Sequence, residues 1–110
     1  MTVADRRKFS APRYATRGIA DELDPVIQQE IWLMIEVFAA HLGPDNVDYL
    51  QVFDLEPAED GEYLNQALTH RQEVPSYSAT NRIQVDSPVR AKVFVIDDET
   101  HCTMLFSHEY

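Results

Sequence analysis

Five residues near the C-terminus hold the densest chemistry in the chain: Asp97, Asp98, Glu99, His101 and Cys102 fall within six positions. Carboxylates with an imidazole suit a divalent cation, and His70 would join them if its strand lay alongside. Asp97, Asp98, His101 and His70 are therefore the candidate metal ligands. The spacing matches no established metal loop, and an Asp-Asp-Glu-Thr run is equally the composition of a solvated turn. Cys102 is the single cysteine and the one candidate thiol nucleophile. A thiolate needs a base within reach and favours positive surroundings. His101 precedes it directly, but neighbours on a strand point to opposite faces, so His70 or His108 would have to act as the base. The acidic run beside Cys102 raises a thiol pKa, and a buried structural cysteine is the expectation. Other reactive motifs are missing. The three glycines, at 18, 43 and 61, are scattered, so no phosphate-cradling loop is formed, and HExxH, CxxC and GxSxG do not occur. No catalytic residue and no cofactor is assigned on this reading.

The elements that must position these residues begin with the stretch that carries them. Ala91–Ile96 and Cys102–Phe106 are two apolar runs around the acidic cluster, which is how a β-hairpin reads. In the first run Ala91, Val93 and Val95 point one way, and Phe94 and Ile96 the other. A strand apolar on both faces predicts a central position, covered on both sides.

Upstream, Asp24-Pro25 is a helix start, with Asp24 as N-cap and Pro25 at the first helical position, and Gly43-Pro44 is a stop. The helix over 25–42 carries a stripe of Ile27, Ile31, Met34, Ile35, Phe38 and Leu42. Trp32, Leu33 and Val37 widen it beyond what one sheet needs to cover it. That surplus makes Trp32, Leu33 and Val37 the candidate interaction residues, with self-association as the expectation.

Arg13–Ile19 reads as a short strand and Tyr49–Leu55 as another. Residues 63–72 fit either a helix or a strand antiparallel to 49–55, and the strand is favoured. Ser76–Asn81 reads as polar loop and 82–85 as a short strand. The sum is one α+β domain over 13–110: a long helix on a mostly antiparallel sheet of about five strands, in two layers. Residues 1–12 read as a flexible basic arm.

Charge narrows the partners. The chain of 110 residues has a net charge of −10. Residues 1–17 hold five basic residues and one acidic residue, and the remainder holds four basic and eighteen acidic. Such a body repels nucleic acid and anionic membranes, so direct binding to either is not expected. One cysteine gives no disulfide framework, and no apolar run has the length of a membrane span, which makes the cytoplasm the expected compartment.

Three segments, RYATRGIADEL from Arg13, DYLQVFDL from Asp48 and AKVFVIDDETHCTMLFSHEY from Ala91, resemble an uncharacterised family of firmicute and mobile-element proteins known as domain of unknown function 960. THRQEVPSY from Thr69 is similar as well. The resemblance implies small cytoplasmic proteins, some encoded on mobile elements, with no established activity and no catalytic residues to carry over.

Three functions follow as alternatives. The first is a small acidic non-enzymatic interaction domain with a protein partner, forming a homo-oligomer through the helix. The second is a nucleic-acid-mimicking inhibitor of a DNA- or RNA-acting enzyme. The third is an enzyme or metal-binding protein using His70 and the 97–101 turn.

Overall fold

The computed structural model describes residues 8–59 and 61–110. The strands are β1 (Arg13–Ala15), β2 (Leu50–Pro57), β3 (Gln66–Gln72), β4 (Tyr77–Ile83), β5 (Ala91–Asp97) and β6 (Cys102–Phe106); the helices are α1 (Arg17–Glu22) and α2 (Pro25–Leu42). The strands form one sheet in the order β1-β6-β5-β2-β3-β4. Every pairing is antiparallel except β1 with β6, which is parallel. The α+β expectation holds, but the sheet has six strands and is mixed, where about five mostly antiparallel strands were expected.

The helix forms where its signals lie. The Asp24 carboxylate accepts from the Val26 N–H, and Gly43 closes the C-terminus with its N–H donated to the Ala39 carbonyl. Ile27, Ile31, Ile35 and Phe38 recur at helical spacing and are the residues buried against the sheet. They meet the inward positions Phe53, Leu55, Leu68, Val93, Val95, Met104 and Phe106.

Three strand expectations are corrected. Arg13–Ile19 is not one strand: the Thr16 hydroxyl caps a new helix by accepting from the Ile19 N–H, so β1 ends at Ala15 and Ile19 is buried from α1. Ser76–Asn81 is not loop, because β4 begins at Tyr77 and runs through the rest of it. This edge strand, YSATNRI, is mostly exposed, so it lacks the alternation that marks a half-buried strand. Third, β5 is central, between β6 and β2, but only one of its faces is covered by a helix. Residues 63–72 resolve as β3 from Gln66, antiparallel to β2.

Of the arm read over residues 1–12, residues 1–7 lie outside the described residues. Phe9 is buried in the core, and its N–H is held by the Asp97 carboxylate at 2.9 Å.

Candidate functional site

His70 sits in the middle of β3, facing α2, and is only 1% exposed. Its ring stacks on Phe53 at 4.4 Å between centroids and meets Phe38 and Tyr77 edge-on. The Gln51 amide nitrogen donates to the Asp48 carbonyl at 2.9 Å and to the Gln72 Oε1 at 2.8 Å. That fixes the amide so that its oxygen faces His70 Nε2. His70 is therefore the neutral tautomer with its proton on Nε2, donating to Gln51. Burial pushes its pKa down to about 4. Gln72 continues the chain of bonds, donating to the Asn46 and Pro75 carbonyls and accepting from the Asp48 N–H. This relay locks the start of β2 to the end of β3. Its Nε2 proton is committed, so that nitrogen is neither a metal ligand nor a base.

His70 does not join the acidic turn. It pairs with Phe53, which pairs with Val93, four residues before Asp97 on β5. The separation is two strands across and four residues along, roughly 10 Å by 13 Å. Within the turn the candidates part again. Asp97 is buried, and its two oxygens accept from the Phe9 N–H and the Glu99 N–H. Asp98 accepts from the N–H groups of Thr100 and His101 and from the Thr100 hydroxyl. The His101 N–H, then the Thr100 hydroxyl and N–H, hold the Asp98 carboxyl below its usual range. Asp98 and His101 do meet, at 3.0 Å, and His101 also contacts the Thr100 hydroxyl and the edge of Tyr14. The structure thus brings together one pair of the four candidate ligands. Among the described residues, no three His, Cys, Asp or Glu side chains converge in a metal-binding cluster.

Cys102 is fully buried, with its thiol toward the Ala11 carbonyl at 3.7 Å. Burial first, and then the negative charge of Asp97, pushes the thiol up to about 11. A thiol so protonated is not a nucleophile near neutral pH. His108 stacks on Phe106 in the last turn of the chain.

Besides Tyr49, Tyr63, Leu64 and Val74 in the loops, apolar side chains reach solvent on the outside of α2 and, less completely, on the outer face of the sheet. On the outside of α2, Val26, Leu33 and Val37 lie along one line, with Leu33 52% and Val37 62% exposed. Trp32 is different: the Arg13 guanidinium lies 4.7 Å above its ring and pairs with Glu36 at 2.7 Å, so β1 partly covers it. Of the three candidate interaction residues, Leu33 and Val37 face outward, and Trp32 is half-buried.

The second surface was missed in the sequence. The face of the sheet away from α2 carries Tyr14, Thr103, Leu105, Phe94, Ile96, Val52 and Leu50 on β1, β6, β5 and β2; Tyr14 is exposed, Leu50, Phe94 and Ile96 are half-buried, and Val52 and Leu105 are buried. Among the described residues no helix covers it. Tyr110 rests edge-on against Phe94. The other half of this face is charged: Arg71 and Lys92 flank Asp54 at 2.8 and 3.9 Å, Arg90 reaches Glu56 at 3.1 Å, and Arg82 stands across from Ala67. The signal was available, because a chain with one long helix can cover one face of a sheet.

A cleft of about 260 Å³ lies between Phe9, Ser10, Ile35, Ala39 and Val47, with Lys8 and Glu36 among its walls. None of His70, Asp97, Asp98, His101 or Cys102 lines it.

Among the described residues no helix is long and apolar enough to cross a membrane. No curated protein matches the chain. Among solved structures, the crystal structure of a protein of unknown function from Enterococcus faecalis superposes with a TM-score of 0.75 over 98% of both chains, at 22% identity. At that identity the likeness speaks for the fold alone. Residues 12–109, nearly the whole chain, match the model of the family described as staphylococcal protein of unknown function. The chain therefore belongs to that family, domain of unknown function 960, as the resemblance of its three segments implied.

Proposed function

We propose that this protein is a small, non-enzymatic interaction domain that acts through its surfaces and self-associates through the outer face of α2. The observation that carries this reading is the exposed line of Val26, Leu33 and Val37 on a helix whose opposite side already fills the core. An apolar line of that kind is unfavourable in water and gains by being covered, at about 25 cal/mol for each Å² removed from solvent. The state of the reactive groups supports the same reading. His70 is neutral and bonded, the Cys102 thiol is protonated, and Asp97 is occupied by backbone N–H groups. These groups maintain the fold, and none of them lines the cleft between Phe9 and Val47.

Light scattering tests the proposal. The wild-type chain at high-micromolar concentration is expected above its monomer mass, and Leu33→Glu is expected at the monomer mass with an unchanged circular-dichroism spectrum. A wild-type monomer, or a Leu33→Glu variant of wild-type mass, would overturn it.

A further inference from the structure

We propose that the outer face of α2 on one copy docks on the uncovered sheet face of the next, so that copies associate head to tail. This rests on the self-association proposed above and supplies the surface that receives the helix.

Dimensions and pattern fit. The line from Val26 to Val37 runs about 16 Å along the helix. The apolar half of the open sheet face crosses β1, β6, β5 and β2, three strand spacings, or about 14 Å. Phe94 and Ile96 stand half-buried at its centre, Phe94 with Tyr110 against it, Leu50 lies beside Ile96, Tyr14 is exposed at the rim beyond Thr103, and Val52 and Leu105 are buried among them. The contact would repeat on the outer face what α2 already does on the inner one: an apolar helix stripe laid on the β5–β2 centre of the sheet. It would cover both unpartnered surfaces with a single interface.

Charge selects this arrangement over its two symmetric alternatives. The open sheet face carries Arg71, Arg82, Arg90 and Lys92 against Asp54 and Glu56, a local positive excess on a chain of net charge −10. The outer helix line is bordered by Glu30 and by Glu36, which pairs with Arg13, with Glu22, Asp24 and the Arg17-paired Asp21 where α1 passes into α2, five carboxylates against two cations. Helix against helix would bring the two acidic borders together, and sheet against sheet would bring the two positive faces together. Helix against sheet pairs opposite signs. A heterologous contact of this kind does not close on itself at two copies; it leaves one free helix face and one free sheet face at the ends.

That asymmetry gives a decisive test by sedimentation equilibrium. Leu33→Glu disables the donor face and Phe94→Glu the receiving face. Each variant alone is expected to associate at least tenfold more weakly than wild type and to run as a monomer where wild type does not. Mixed in equal amounts, they are expected to form a 1:1 dimer and nothing larger, because each supplies the face the other lacks. Tyr14→Glu, on the exposed edge strand of the same face, repeats the Phe94 test without touching the sheet centre, and thermal melts verify that all variants are folded. If Phe94→Glu and Tyr14→Glu associate like wild type, the helix receives a different surface; head-to-tail docking is overturned, while self-association through α2 stands. If Leu33→Glu alone associates like wild type, both readings fall. A mixture that stays monomeric also overturns head-to-tail docking.

Discussion

His70 shows how a side chain suited to catalysis becomes structural. Its proton is on Nε2 because Gln51 has only an oxygen left to offer, and three aromatic rings exclude water from it. The folded pKa of about 4 lies below the ordinary 6.5, so the unfolded chain binds a proton that the native state refuses. Stability from this site is complete above pH 6.5 and is lost as pH falls toward 4. The loss is about 3 kcal/mol over that window. Urea melts of wild type and His70→Asn at a series of pH values should therefore converge as pH falls. Parallel curves would contradict the assignment. In the acidic turn, Glu99 holds a positive φ of 79°, a conformation that costs a side-chain-bearing residue about 1 kcal/mol. Glu99→Gly should raise stability by about that amount in thermal melts. Cys102 should resist Ellman's reagent in the native protein at mildly alkaline pH and react once unfolded. These roles were not legible in residue type. The same His and Asp residues would have read as ligands had β3 neighbouredβ5 in register, and nothing local to His70 or Asp97 encodes that register.

At the scale of elements, legibility followed hydrophobic pattern and capping chemistry. The helix over Pro25–Leu42 was readable to its ends because Asp24, Pro25, Gly43 and the isoleucine spacing all agree. The hairpin of β5 and β6 was readable because its two apolar runs flank turn-forming aspartates. β4 was not, since an edge strand with one side in solvent needs few apolar residues. β1 was only half readable, because its pairing with β6 joins the two ends of the chain and depends on Arg13 meeting Trp32 and Glu36 on α2. Arg13→Ala removes both contacts and should cost about 1 kcal/mol of stability. It should also expose Trp32, which a shift of tryptophan emission to longer wavelength would register; unchanged emission would mean that the guanidinium does not cover the ring.

The whole molecule is a two-layer domain with a helix on one side of a sheet and, on the other, no helical layer among the described residues, with Tyr110 resting on Phe94 there. The apolar even-numbered positions of β5 predicted a second cover, and within one described chain that cover is partial, with Tyr110 at Phe94, which turns a folding signal into a surface. The excess of apolar residues on α2 carried the same message from the opposite side. Both surfaces are explained if the cover is another copy. Sedimentation equilibrium of the wild-type chain over a wide concentration range tests this most directly. The expected result is an average mass that rises continuously above 12.7 kDa as concentration increases, with no plateau at the dimer. A mass that stays at 12.7 kDa throughout would contradict the account.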